Sequence, residues 1–384
     1  MSPDPQFALL ACGTALATLS AAYLCLAAWA VRKAPAGGAA RPGNLPATSV
    51  LKPLCGVETA TYDCLRSFCA QDFADFEIVF GVEDPADPVL EIVRRLTREF
   101  PRLPIRTVAD RRPHGGNRKV ANLINMMGVA RHDYLVLADS DILVDAQYLR
   151  CVVAPLLDPQ VGVVTTAYQA IARPGLPSWL AAVFVNDWFY PSVRVAAALG
   201  SRHFAFGATI ALRRDVLQAV GGFEAIADQL ADDYALGAAT RRLGLRTVLS
   251  TLVVDTVVEE RSLRECIAHL LRWLRTIRSV RPAGYAFSVV TFGVPIGVLG
   301  ACLAAAAPAA LAACGVAASA RLVLHWRVRA RGSPPWDWLA LPLVDALSLA
   351  LWCWGFAARN VRWRSDRYRL TGDGDVRRYE DSTR

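Results

Sequence analysis

Phe7 to Val31 runs 25 residues without a charged side chain, and no other feature limits the possible folds of this chain more. As a helix it is long enough to cross ~30 Å of hydrocarbon. Arg32 and Lys33 follow directly, and the flank before it holds only Asp4. A secretory signal would place its positive charges first and have a shorter apolar core. The run therefore predicts a transmembrane helix over 6–32, and the positive-inside rule puts residue 33 onward in the cytoplasm. Composition points the same way. The chain is 54% hydrophobic with a formal charge of +8, which favours an anionic membrane or an acidic substrate over nucleic acid. Ten cysteines show no CxxC pair, and several lie inside apolar runs. They read as reduced small hydrophobes, not as a disulfide framework or a zinc site.

After a Gly- and Pro-rich linker (34–46) the pattern changes. "TSVLKPL", "FEIVFGV", "PIRTV" and "YLVLA" read as strands, and "ETATYDCLRSFCAQ", "VLEIVRRLTREF" and "RKVANLINMMGVA" as the helices between them. That alternation predicts an α/β domain over 48–257 with a mainly parallel, Rossmann-like sheet. Ligands of such sheets sit at the carboxyl ends of strands.

Three more apolar or amphipathic stretches follow. In 261–282, Leu263, Ile267, Leu270, Leu274 and Ile277 share one helical face and Arg261, Arg264, Arg272 and Arg275 another, the pattern of a helix lying in the membrane interface. Ala283 to Ala320 holds 38 uncharged residues, too many for one helix, so 283–326 predicts a transmembrane hairpin. A third apolar segment, 336–358, carries Asp345, expected to be paired. A basic tail fills 359–384. A hairpin plus one further span would place that tail outside, against the positive-inside rule, unless one segment is re-entrant or interfacial.

The chemistry concentrates in acidic residues at strand tips. Asp139-Ser140-Asp141 ends "YLVLA", Glu83-Asp84 ends "FEIVFGV", and Asp232-Asp233 lies in "QLADDYALG". Two carboxylates one residue apart repel, and a bound cation offsets that. Asp and Ser are equally at home in a turn or helix cap there. Three acidic sites in such a domain suit a nucleotide, a general base and a hard divalent cation, Mg²⁺ or Mn²⁺. Lys119 reads as a solvated helix charge or a phosphate contact, Gly115-Gly116 as a turn, and Gly207 as a close backbone approach.

"LKPLCG", "GVED", "GGNRKVANLINM", "ADSDI", "FGATIALRRDVL", "GGFEAIADQLADDYALG" and "HLLRW" occur in the order seen in the ceramide-glucosyltransferase-like family. The chain resembles these membrane glycosyltransferases of the GT-A fold, and within them the bacterial hopanoid-associated branch. The resemblance implies transfer of N-acetylglucosamine from UDP-GlcNAc to a hopanoid polyol, by a multi-pass protein of the bacterial inner membrane. It implies that Lys52, Glu83, Asp84, Lys119, Asp139 and Arg272 bind the nucleotide sugar, that Asp139 and Asp141 hold the metal, and that Asp233 is the base. Trp273, His203, Asp232 and His269 fall on the acceptor side, although His269 stands where the family has Gln or Arg. Three rival readings are a ceramide glucosyltransferase using UDP-glucose, a processive polysaccharide synthase, and a membrane nucleotide-binding protein without turnover.

Overall fold

The structure, a computed structural model, describes residues 5–32, 43–201, 204–330, 332–357, 360–363, 366–370 and 376–378. Helix α1 (Pro5–Ala30) opens it. Then β1 (Thr48–Leu54), α2 (Thr61–Cys69), β2 (Phe76–Val82), α3 (Val89–Glu99), β3 (Ile105–Ala109), α4 (Arg118–Met127) and β4 (Tyr134–Leu137) alternate. Next come β5 (Ile142–Leu143), α5 (Tyr148–Val153), β6 (Val161–Ala172), α6 (Leu176–Phe184), α7 (Tyr190–Ala198), β7 (Ile210–Arg213), α8 (Arg214–Ala219), α9 (Asp232–Arg242) and β8 (Arg246–Val258). The C-terminal third holds α10 (Leu263–Val280), α11 (Pro282–Phe287), α12 (Gly293–Leu303), α13 (Pro308–Val328), α14 (Leu341–Gly355), β9 (Asn360–Trp363), β10 (Asp366–Leu370) and β11 (Val376–Arg378). The chain divides into two units, one containing the eight-stranded sheet and one made of helices.

In the sheet unit the strand order is β3-β2-β1-β4-β7-β6-β8-β5. The first half is the expected parallel sheet, because β1 pairs in parallel with both β2 and β4, and β2 with β3. The other half is mixed: β7 runs antiparallel to β4 and β6, and β5 to β8. Parallel strands are covered on both faces, so they read as apolar runs. Val50, Leu51, Ile78, Val79 and Phe80 are fully buried. Leu65 and Phe68 of α2 and Val93 and Leu96 of α3 cover one face, and Val120, Leu123 and Met126 of α4 the other. Each such side chain contributes about 1.5–3 kcal/mol by leaving water.

In the helical unit, α1, α12 and α13 approach through small residues. A Cβ on Gly13 would lie 2.5 Å from the Gly300 carbonyl oxygen, and one on Gly300 would lie 2.7 Å from the Ala17 nitrogen. Close backbone approach of this kind is how helices associate where lipid removes the hydrophobic drive. Among the described residues, three helices are long and apolar enough to cross a membrane: Gln6–Ala30, Pro308–Val328 and Asp337–Gly355. The first leg expected of a hairpin over 283–326 is instead a broken pair, Pro282–Thr291 and Gly293–Leu303, bent by 74°. Phe292, with φ −84° and ψ 60°, sits at the break.

The apolar stripe of α10 also differs from the expected one. Its buried residues are Cys266, Leu270, Leu271 and Leu274, and Leu263 is exposed. The helix uses that stripe against α14 and α6, so its apolar face is at least partly spent on protein. Asp345 is paired, as expected. Arg321 reaches it through Nε (3.0 Å) and Nη2 (2.8 Å) and binds Asp187 Oδ2 through Nη1 at 2.7 Å. His325 joins the cluster, between Asp187 (2.7 Å) and Asp337 (3.1 Å).

Candidate active site

The site forms where β4 stops, in the sheet unit. Ala138 still bonds back to the Leu51 carbonyl of β1, and the chain then turns through Asp139-Ser140-Asp141 into β5. The turn is held from beneath by Lys52. This residue of β1 has no exposed surface. Its ammonium donates to the backbone oxygen of Asp139 and lies 3.7 Å from the Phe68 ring centre. Burial pulls the ammonium down to about 8. Lys52 supports the turn that carries Asp139. Asp141 is tied to β8, where Thr256 Oγ1 donates to its Oδ2 at 2.7 Å and Val257 N donates to its carbonyl. Burial, followed by the nearby charge of Asp139, pushes the Asp141 carboxyl up.

Lys119 joins the two acidic clusters. Asn117 caps α4 by accepting from the Lys119 and Val120 N–H groups, which fixes the first turn. Lys119 Nζ lies 2.8 Å from Asp139 Oδ1 and 3.0 Å from Asp232 Oδ2. Burial would lower this ammonium, but the carboxylates of Asp139 and Asp232 outweigh it and hold the group above its ordinary value. Lys119 is therefore no solvated helix charge. Asp232 and Asp233 open α9, where the helix dipole favours anions. They point differently. Asp232 is buried on Lys119. Asp233 accepts from Gly207 N at 2.8 Å through Oδ2 and from Tyr234 N at 2.7 Å through Oδ1. Burial and the charge of Asp232 raise its carboxyl to about 6. A carboxylate poised there can take a proton near neutral pH.

At the tip of β2, Glu83 Oε2 lies 2.6 Å from Arg118, and Asp84 Oδ1 accepts from Ala86 N at 3.0 Å and from Arg111. The Ala86 bond, followed by Arg111, holds the Asp84 carboxyl below its usual range. Neither arginine stands out in the sequence, although both lie in the basic run "DRRPHGGNRK". Gly115, with φ +77°, makes the expected turn, and the Gly116 N–H is taken by Asp228 at 2.7 Å.

Arg272, Trp273 and His269 stand on α10 in the helical unit. His269 Nδ1 lies 2.6 Å from Glu260 Oε1, and its ring meets Trp273 edge-on, with centroids 4.7 Å apart. Phe189 packs on the same indole. His203 lies outside the described residues.

Among the described residues no group of three or more His, Cys, Asp or Glu could hold a metal ion. The donor set nevertheless fits a hard divalent cation. Asp139 and Asp141 offer two carboxylates at one turn, and such ions take one or two carboxylates and complete their shell with substrate phosphate and water.

The family model for glycosyl transferase family 21 matches residues 12–376. Ceramide glucosyltransferase 1 of Caenorhabditis elegans is 25% identical over 209 residues, which cover 54% of this chain and 45% of that protein. A ceramide glucosyltransferase of Komagataella phaffii is 29% identical over 105 residues, 26% of this chain and 21% of that one. The matches to the first two curated relatives thus span about half of each relative's length. Among solved structures, mannosyltransferase PcManGT from Pyrobaculum calidifontis, in complex with GDP-Man and Mn²⁺, superposes with a TM-score of 0.50 at 21% identity, covering 91% of this chain and 95% of that one. The likeness is one of fold, a GT-A sheet domain with appended helices. The chain belongs to glycosyl transferase family 21, a family of glycosyltransferases.

Proposed function

We propose that the chain moves a sugar from a UDP-sugar to the hydroxyl of a membrane lipid, with inversion at the anomeric carbon. The observation that carries this reading is Asp233. Its carboxylate is raised to about 6 and is fixed by two backbone N–H groups. It shares a cluster with Asp139 through Lys119 and Gly207. Asp233 takes the proton of the acceptor hydroxyl, and the freed oxygen pair bonds to the anomeric carbon. The bond from that carbon to the diphosphate oxygen breaks, and its electrons leave with UDP. One displacement inverts the centre. A divalent cation bound by Asp139 and Asp141 would offset the charge growing on the departing diphosphate. By the resemblance, Arg272 is assigned to the diphosphate, Glu83 and Asp84 to the nucleoside, and Trp273, His269, His203 and Asp232 to the acceptor. Lys52 and Lys119 act by placing the carboxylates.

Residue-level resemblance favours UDP-GlcNAc and a hopanoid polyol. The named relatives, ceramide glucosyltransferases, favour a second reading with UDP-glucose and ceramide. Membranes carrying the protein are incubated with labelled UDP-GlcNAc or UDP-glucose, and the lipids are analysed by mass spectrometry. The first reading expects an N-acetylhexosaminyl lipid and the second a hexosyl ceramide. Release of UDP with no labelled lipid would remove the lipid acceptor from both.

A further inference from the structure

We propose that Gly207 is a positioning residue of the transfer reaction, one that aims the Asp233 carboxylate and reserves the space beside Asp139. The proposal rests on the reading of Asp233 as the base. Gly207 is the second residue of the turn Phe206–Thr209, closed by Thr209 N donating to the Phe206 oxygen at 3.1 Å. The turn is anchored from β6. Fully buried Thr165 accepts from Phe206 N through Oγ1 at 2.9 Å and donates to the Thr209 oxygen at 2.8 Å. Tyr148, also fully buried, bonds Thr209 Oγ1 at 3.0 Å. The tip of this turn is thus set by buried groups, and its Gly207 N–H goes to Asp233 Oδ2 at 2.8 Å.

Conformation does not explain the glycine, because Gly207 is absent from the residues with positive φ. Space does. A Cβ there would lie 2.9 Å from Asp139 Oδ2, 3.3 Å from Lys119 Nζ and 3.6 Å from Asp233 Oδ2. Asp139 cannot swing clear freely, because its other oxygen is paired to Lys119. An added methyl must therefore displace Asp139 from Lys119 or lift the turn and draw its N–H away from Asp233. A side chain at Gly207 would meet the Asp139 carboxylate, the bridging ammonium and the base at once. Its missing side chain sets their spacing.

The test is a double-mutant cycle with Gly207→Ala and Asp233→Asn, read as kcat and donor KM in the same lipid-transfer assay, with thermal unfolding alongside. Wild-type turnover in that assay tests the proposed function by itself; the ratios among variants test Gly207. Gly207→Ala is expected to lower kcat at least tenfold while the unfolding temperature stays near wild type. Added to Asp233→Asn it should cost less than threefold more in kcat, since the share acting through Asp233 is already lost, while the share acting through Asp139 raises the donor KM in both backgrounds. If Gly207→Ala unfolds, Thr165→Val takes its place. It loosens the turn from outside the site and should lower kcat severalfold, again without adding to Asp233→Asn. Wild-type kcat in the single variant, or kcat losses that multiply in the double variant, would overturn the proposal.

Discussion

Asp233→Asn separates chemistry from binding in this site. The carboxylate accepts two backbone N–H groups, one on each oxygen. Asparagine keeps one acceptor and turns an NH₂ toward the other N–H, so one bond is lost and a donor faces a donor. That costs about 1–3 kcal/mol of local stability and should show as a lower unfolding temperature. The kinetic effect should be larger. Removing a general base costs on the order of 10²–10⁴ in rate, or about 2.7–5.5 kcal/mol at the transition state. UDP affinity should stay near wild type, since Asp233 makes its contribution at the transition state. Asp232→Asn leaves the base in place and should cost much less.

The pH dependence gives an independent check. The carboxyl stands at about 6 instead of 3.8, and the base works only when unprotonated. Log kcat/KM should therefore fall with unit slope as pH drops below about 6, and Asp233→Asn should lose that limb. The stability sign is opposite to that of a salt-bridged aspartate. Between pH 3.8 and about 6 the folded state keeps a proton that the unfolded chain has released, so ionisation weakens the fold as pH rises through that window. The variant should therefore gain on wild type in unfolding temperature between pH 4 and pH 7. A variant with wild-type kcat, or a pH limb that survives the substitution, would refute the assignment. If Asp232→Asn gives the large effect instead, the base is one residue earlier.

Lys119→Met should cost about 3 kcal/mol of stability, the low end for a broken buried pair, because it leaves buried Asp232 without its cation while Asp139 stays partly exposed to water; denaturant or thermal unfolding of purified protein checks this. Chelation with EDTA should abolish transfer and Mg²⁺ or Mn²⁺ restore it, and Asp141→Ala should lose activity while keeping the fold by circular dichroism. Full turnover of chelator-stripped protein would discard the metal. In a cysteine-free background, Leu90→Cys and Arg377→Cys should both resist a membrane-impermeant thiol reagent in intact cells and react after permeabilisation; labelling of Leu90→Cys without permeabilisation would reverse the orientation.

The half of the site built by short-range pattern is legible in the sequence. β1 and β2 match "TSVLKPL" and "FEIVFGV" residue for residue, because strands covered on both faces read as short, mainly apolar runs. Asp139 and Asp141 draw notice as a close pair of carboxylates after an apolar run, and Asp233 as part of the ordered motifs of the resembled family, although a turn or helix cap uses the same residue types. What supports them is not legible. Thr256 reaches Asp141 across 115 residues of sequence, and Lys52 reaches Asp139 across 87. Periodicity assigns a face to a residue but says nothing of its partner on another strand. Lys52 is the clearest case: a lysine in a strand reads as a surface cation, and only the covering of both sheet faces buries it.

The membrane half was harder for a different reason, since hydropathy measures length and not direction. Counting three apolar segments after the sheet domain as spans puts the basic tail on the wrong side. The contacts within the helical unit change the count. Gly293 of α12 meets Leu24 of α1, and Gly300 meets Gly13 and Ala17, so α12 runs back along α1. Arg327 near the end of α13 donates to the Ala28 oxygen, and Arg194 of α7 to that of Ala30, which neutralises the negative end of the α1 dipole. α13 thus returns to the end of α1 that carries Arg32, and its basic residues from Arg327 arrive on that side. α14 packs instead on α10, α6 and the start of α12. Asp345 pairs with Arg321 within the last two turns of α13, and Trp352 stacks on Tyr285 of α11. If α14 lies along the membrane face instead of crossing it, the charge asymmetry agrees with the number of apolar segments, and the Arg377→Cys labelling decides it.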